Sequence, residues 1–422
     1  MSETRTSRLA AGLGRHPDFL KLWAGETISL VGSQLTLFAL PLTAVIWLHA
    51  SPLEMGVLGA LQFAPFLLLS LVAGVWADRL PRRPILIVAN VGRAVLLGTV
   101  PVMAITGWLT MGYLYVIAFG VGILTVFFDV AYQSYLPVLV TREQLVEGNS
   151  KLEASNSVAQ ITGPVLAGGL VQILTAPIAI ALDAASFLIS AFCLSLIRRR
   201  ETAPIVSRPQ QPLWSEIREG LGVVIGNPVL RSIAACTGTN NFFSNIRFAV
   251  LTIYIVREVG IEPGLLGVIF AIGSVGALIG ALLASSIARR WGVGPTLILA
   301  SLIGGIGALA LPAAQGTITV VVSLLTLGIF LNSGANPIYN ITQVSLRQAI
   351  TPYHLQGRMN ASMRFLVWGT IPLGSLVGGA LGQLIGVHTT LAIGAVGGLL
   401  SVIWVFFSPV RGLTHPTDQA DD

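Results

Sequence analysis

Apolar residues run through this chain in blocks of about twenty or more, broken by short polar stretches. A helix needs about 20 mostly apolar residues to cross a bilayer. The blocks predict twelve such spans, at 18–46, 53–77, 84–106, 112–139, 146–174, 178–197, 229–257, 263–288, 295–314, 318–345, 359–385 and 389–408. The first block is too long for a cleaved leader and lacks a small-residue site followed by a polar chain, so it is expected to stay as a span. The breaks divide the chain into a basic tail (1–17), a six-helix bundle (18–197), a polar connection (198–228), a second six-helix bundle (229–408) and a polar tail (409–422). The connection opens with Arg198, Arg199 and Arg200. Within it Trp214, Ile217, Leu221, Val224 and Ile225 recur at helical spacing, which predicts an amphipathic helix on the inner membrane surface.

The 422 residues are 54% hydrophobic and 10% charged, against about 25% charged in soluble domains. An integral membrane protein follows. The net charge of +6 reflects where the basic residues sit and implies no nucleic acid. The loops near 49–53, 107–112, 174–178, 313–317 and 386–390 hold no Lys or Arg, which places both termini on the cytoplasmic side. Cys193 and Cys236 fall in apolar spans and are expected to be buried thiols, not a disulfide. The five histidines, His16, His49, His354, His388 and His415, lie in loops or at span ends, with no metal-ligand spacing and no nucleophile beside them. Neither a metal nor an enzymatic site is expected. The two lysines, Lys21 and Lys151, do not follow a Gly, so no nucleotide-binding loop exists and no cofactor is implied. Uphill work would have to draw on an ion gradient or a partner.

The two bundles are an internal repeat. A constant shift of 211 brings Pro17 onto Pro228, Gly56 onto Gly267 and Ala73 onto Ala284. It also brings Arg79 onto Arg290, Pro84 onto Pro295, Pro101 onto Pro312, Ser134 onto Ser345, Asn149 onto Asn360, Gly163 onto Gly374 and Gln172 onto Gln383. Two parallel six-helix repeats are a known transporter plan, with a substrate site near the bilayer midplane. Gly273, Gly276 and Gly280, and Gly304, Gly305 and Gly307, suit close helix packing.

Residues 74–84 read GVWADRLPRRP. The spacing of Gly74, Asp78, Arg79, Arg82 and Arg83 resembles the loop between helices 2 and 3 of the major facilitator superfamily, and it follows the second span as it does there. Pro81 stands where that family most often has Gly. In the fifth span Gly163, Pro164 and Gly168 lie in GPVLAGG, which is similar to a motif of the family's exporters, with Ala167 in its first late-Gly position. The alternative reading of that stretch is a proline kink with a small packing face. With FFDVAYQSYLP in span four, the whole chain resembles the drug-efflux branch that includes macrolide and siderophore exporters. The resemblance implies an all-α fold of twelve membrane helices. It also implies export of a small amphiphilic organic compound by proton antiport, in a monomer of the bacterial cytoplasmic membrane. An uptake symporter on the same scaffold is the alternative, and GPVLAGG argues against it. The partners are the substrate, protons and the lipid bilayer.

Ionisable residues inside spans are costly, by about 2.5–3.5 kcal/mol on insertion scales, and so mark function. The first bundle has Glu26, Arg93, Asp129, Glu153 and Asp183; the second has no carboxylate deep in a span. Glu26, Arg93 and Asp129 lie roughly 12–15 Å from their cytoplasmic helix ends at about 1.5 Å per residue. Asp129 is the favoured proton carrier, Glu26 the second, and Arg93 their counter-ion; a fixed structural ion pair is the alternative. Polar stripes mark a candidate cavity: Glu26, Ser29, Ser33, Gln34 and Thr36 in span one; Tyr132 and Gln133 in span four; Asn241 and Asn245 in span seven; Asn332, Asn336, Tyr339, Asn340 and Gln343 in span ten. Interhelical hydrogen bonding is the plainer role for such amides. Arg247 could favour an anionic group or pair with a neighbouring helix. Finally, the shift of 211 inverts charge at three places: Asp78 falls on Arg289, Glu147 on Arg358 and Glu153 on Arg364. In the fold the chain resembles, Asp78 would meet Arg358 or Arg364, and Arg289 and Arg290 would meet Glu147 or Glu153, as latches between the halves. The alternative is that these residues only follow the positive-inside rule.

Overall fold

The computed structural model describes residues 13–141, 144–199, 201, 213–352 and 355–414, with side chains at 15, 70–79, 146, 213–217 and 357 also outside the described set. The sequence readings on the side chains of Gly74, Asp78, Arg79, Trp214 and Ile217, and on Arg200, His354 and His415, lie outside the described residues.

Helices make up nearly all of the described chain. In the first half they are α1 (Pro17–Leu42), α2 (Pro52–Arg79), α3 (Arg82–Ile105), α4 (Met111–Leu139), α5 (Leu145–Ile173) and α6 (Ala176–Ser195). The connection forms α7 (Leu213–Gly226). The second half holds α8 (Pro228–Ile253), α9 (Pro263–Trp291), α10 (Val293–Leu309), α11 (Ile318–Ile350), α12 (Gln356–Trp368), α13 (Thr370–Ile385) and α14 (Val387–Leu400). Starts are set by local chemistry. Pro17 and Pro228 occupy the first helical turn, where no N–H is needed. His16 Nδ1 accepts from Phe19 N at 3.1 Å, and Asn227 Oδ1 accepts from Val229 N and Leu230 N at 2.9 and 3.1 Å.

Among the described residues nine helices are long and apolar enough to cross a membrane, or ten if α7 and α8, which meet at a 100° bend, count as one. Two predicted spans fall on less typical helices. α10 is an apolar helix of 17 residues, and α5 carries Glu147, Lys151 and Glu153 near its start. Ile105, Ile173 and Leu384 stay about four-fifths exposed, as lipid-facing side chains do.

The chain divides into two compact units. The first comprises 1–48 and 64–207; the second comprises 49–63, the stretch that includes the start of α2, and 208–422. In the first unit α1 packs on α5 and α6, and α3 on α4 and α6. In the second, α8 packs on α13 and α14, and α10 on α11 and α14. These are the same pairings shifted by one repeat. The cores correspond too. Leu13, Leu22, Leu86 and Leu152 are buried together in the first unit, and Val224, Ile233, Leu297 and Met363, each 211 residues on, in the second. Even backbone irregularities recur. A π turn at Thr43–Trp47 is repeated at Tyr254–Glu258. Positive φ at His49 and Thr175 is repeated at Gly260 and Gly386.

The connecting helix is not simply laid on a surface. Val224 is fully buried with Val229 and Met359, Gly220 sits against Arg358 and Ser362 of α12, and Glu219 pairs with Arg358.

Candidate functional site

The first unit buries a polar cluster between α1, α3, α4 and α6. Arg93 of α3 is 4% exposed. Its guanidinium lies between the rings of Phe128 and Phe187, 4.3 and 4.1 Å from their centroids, and Nη2 donates to Asn90 Oδ1. Asn90 Nδ2 donates to Ser190 Oγ at 2.9 Å. Glu26, Asp129 and Asp183 all lie near enough to act on Arg93 electrostatically. No carboxylate among the described residues forms a contact ion pair with Arg93. The three predicted groups, Glu26, Arg93 and Asp129, therefore share one electrostatic neighbourhood, held by aromatic faces and an amide.

The three carboxylates differ in access and in bonding. Asp183 is 1% exposed and accepts from Thr36 Oγ1 and, at 3.0 Å, from Ser186 Oγ. Glu26 is 8% exposed and makes no hydrogen bond among the described residues. Asp129 is only half-buried. Tyr132, one helical turn after Asp129, stacks on Phe128 and feels Glu26, Asp129 and Glu153. It lines a cavity of about 590 Å³ on this unit, together with Asn149, Glu153 and Ser157 of α5. Gln133 is exposed on α4. Gln34 has a packing role, because a Cβ on Gly163 would collide with its side chain. In GPVLAGG, Gly163, Ala167 and Gly168 are buried, and Val165 and Leu166 are exposed.

In the second unit the polar stripe of α11 is present and largely internally bonded. Asn332 Nδ2 donates to Gly304 O at 2.9 Å, Asn340 Nδ2 to Asn336 Oδ1 at 2.6 Å, and Tyr339 OH meets Thr237 Oγ1 at 2.9 Å. Asn336 and Asn340 are exposed, whereas Gln343 is buried with Oε1 unpaired. Asn241 Nδ2 donates to Val367 O and Asn245 Nδ2 to Asn241 O.

The charged residues at the helix starts have partners within their own units. The Glu201 carboxylate accepts the first two backbone N–H groups of α3, Arg82 N at 2.7 Å and Arg83 N at 2.9 Å. Arg83 donates to the last carbonyls of α6, Leu194 O and Ser195 O. Glu147 accepts from Leu13 N and pairs with Lys151. Arg364 lies over the Trp368 ring, and Arg289 and Arg290 are exposed. Sequence reasoning gave no role to Asn90 or Glu201 and noted Asp183 only as an ionisable residue within a span. Helical spacing could have placed Asn90 on the Arg93 face, since they are three residues apart. Glu201 has no such signal, because it lies over a hundred residues from the helix it caps.

Comparison with known proteins agrees with this architecture. The multidrug efflux pump Tap of Mycolicibacterium fortuitum is 28% identical over 411 residues, covering 94% of this chain and 97% of that protein. Macrolide efflux protein A of Streptococcus pyogenes is 24% identical over 216 residues, 50% of this chain and 51% of that protein. Among solved structures, a bacterial homologue of the iron transporter ferroportin in an inward-facing state gives a TM-score of 0.70 at 19% identity, over 92% of this chain and 98% of that one. The nucleoside transporter NupG gives 0.68 at 12% identity, over 92% and 97%. The sequence description of the Major Facilitator Superfamily matches residues 22–368 and 234–421. With its helical repeat and its family match over most of its length, the chain is a multi-pass membrane transporter, not an enzyme, and belongs to the major facilitator superfamily.

Proposed function

We propose that this protein exports small amphiphilic organic compounds, drug-, macrolide- or siderophore-like, from the cytoplasm in exchange for protons. The observation that carries the reading is similarity to a multidrug efflux pump along nearly the whole of both chains. It is supported by a buried cluster of ionisable side chains in the first unit, which is costly in a membrane unless used. Asp129 carries the proton, Glu26 is the second candidate, and Arg93 is their counter-ion. Twelve helices cross the membrane with both termini in the cytoplasm: α1 to α6, α8 to α11, the α12–α13 pair, and α14. In the second unit the amides of α8 and α11, with Tyr339, suit an organic ligand that is part apolar and part polar.

The test is transport into inverted membrane vesicles from cells expressing the chain. A panel of amphiphilic drugs that includes a macrolide is offered under an inside-acid gradient. At least one compound should accumulate inside, and a protonophore should collapse the accumulation. Accumulation that follows ATP alone, or proton-driven uptake of the same compound into intact cells, would replace export by antiport with another mechanism, the second result pointing to a symporter.

A further inference from the structure

Arg247 lies 19 residues into α8 (247 − 228), about 28 Å along its axis, and 11 residues before the π turn ends at Glu258 (258 − 247), about 16 Å. It therefore lies inside its span, nearer the end at Glu258 than the start at Pro228. It is 9% exposed. Among the described residues no carboxylate pairs with it, no hydrogen bond reaches its guanidinium, and no other charged side chain acts on it. Arg93, the buried arginine of the first unit, has an amide, two aromatic faces and three carboxylates around it. Among the described residues Arg247 has none of these.

The internal repeat shows what is missing. Under the shift of 211, Thr36 falls on Arg247 and Asp183 on Gly394. In the first unit Thr36 donates to Asp183 across the α1–α6 contact. In the second unit Gly394 of α14 lies against Arg247, so close that a Cβ there would come 3.0 Å from both Cβ and N of Arg247. The contact that holds an anion in one unit holds a cation in the other, and the acidic partner has become a glycine. A buried charge with no counter-charge is unfavourable in a membrane. Two neutral donors stand on the same helix face, Ser244 three residues and Asn240 seven residues before Arg247. Their own bonds are long: Ser244 Oγ to Asn240 Oδ1 and Asn240 Nδ2 to Gly398 O, both 3.5 Å. Both can turn to a better acceptor.

We infer that Arg247, with Ser244 and Asn240, is an anion-binding site for a singly charged group of carboxylate or halide size. This deepens the efflux reading and rests on it for one point, that the carboxylate belongs to an exported compound; a free halide would meet the same three donors.

The experiment is thermal unfolding of the purified full chain in lipid nanodiscs, with sodium benzoate, its uncharged counterpart benzamide, and sodium chloride as probes. Benzoate should raise the unfolding midpoint along a saturating curve, as a ligand of the folded state does, and benzamide should not. Arg247→Gln should abolish the shift, and Arg247→Lys should keep part of it. Ser244→Asp places a carboxylate three residues before the intact Arg247 and should also abolish it, which keeps the test decisive if Arg247→Gln does not fold. A saturating, Arg247-dependent shift with chloride alone supports the site and assigns it to a halide. No saturating shift with either anion, or shifts unchanged in both Arg247→Gln and Ser244→Asp, overturns the proposal. The readout is binding, so an intact anion response in a protein that exports nothing would overturn the efflux reading alone.

Discussion

Thr175 holds φ 120° and ψ 156° at the cap of α6, a backbone region that glycine occupies freely and a β-branched residue does not. Its repeat equivalent, Gly386, has φ 90° and ψ 156° at the cap of α14. One turn geometry is thus built twice, once with the fitting residue and once with a strained one. Such strain costs about 1–3 kcal/mol, and the extra freedom of glycine in the unfolded chain offsets about 0.4–1 kcal/mol of the relief. Thr175→Gly should therefore raise stability by about 1 kcal/mol, seen as a higher unfolding midpoint in detergent. A lower midpoint would show that the surroundings of Thr175 compensate the backbone. His49 sits at φ 53°, in the milder left-handed region, and His49→Gly should change the midpoint less. At this scale the sequence was only partly legible. Glu26, Arg93 and Asp129 could be grouped because helical rise gives depth. That Asp183 joins them through Thr36 and Ser186 could not, because depth alone does not say which faces of α1 and α6 meet.

Helix contacts explain where glycines matter. α9 and α11 approach so closely that a Cβ on Gly280 would fall on Gly334 O, and one on Gly276 would lie 2.6 Å from Phe330 O. Backbone carbonyls cannot swing aside, so Gly280→Ala should separate the helices and cost about 1–3 kcal/mol. Gly169 in α5 has nothing within 4 Å of where its Cβ would be. Gly169→Ala should be neutral or stabilising by up to about 1 kcal/mol, since alanine is the better helix former. Unfolding midpoints of the two variants measured side by side test the contrast, and equal effects would refute it. The Gly273, Gly276 and Gly280 run was readable as a packing face because its spacing is helical. The last glycine of GPVLAGG was read with its neighbours as one motif, yet Gly163 is crowded by Gln34 and Gly169 by nothing. Sequence spacing gives a face, and the neighbouring helix decides which part of it is used. The same limit applies to α7. Its apolar stripe was evident, and the burial of Val224 beside α12 depends on Gly220 and on the Glu219–Arg358 pair.

Over the whole molecule the repeat was the most legible feature, since matching Pro, Asn, Gln and Arg positions carried down to the π turns and the positive-φ turns. What the repeat does not conserve is charge inside the spans. The first unit buries Glu26 and Asp183 with Arg93 and half-buries Asp129; the repeat equivalents of Glu26, Arg93, Asp129 and Asp183 are Thr237, Gly304, Asn340 and Gly394. A proton carrier must meet water in at least one state of the cycle, and it must not be indispensable to packing. Asp183 fails both conditions, because it is enclosed and accepts hydrogen bonds from Thr36 and Ser186. Glu26 is nearly enclosed and unbonded among the described residues, and Asp129 is the most accessible of the three. The order of effect on coupling should follow that access. In proteoliposomes Asp129→Asn should abolish accumulation driven by a pH gradient and still exchange labelled for unlabelled substrate at equal pH, since binding and conformational change remain. Glu26→Gln should weaken accumulation with exchange intact. Asp183→Asn should lower the unfolding midpoint, because its network loses a charged acceptor, and should affect accumulation and exchange in equal proportion. If Asp129→Asn still concentrates substrate against its gradient, Asp129 is not the carrier. If Asp183→Asn alone loses accumulation while keeping exchange, the enclosed carboxylate is the one that titrates, and access to it must open during transport.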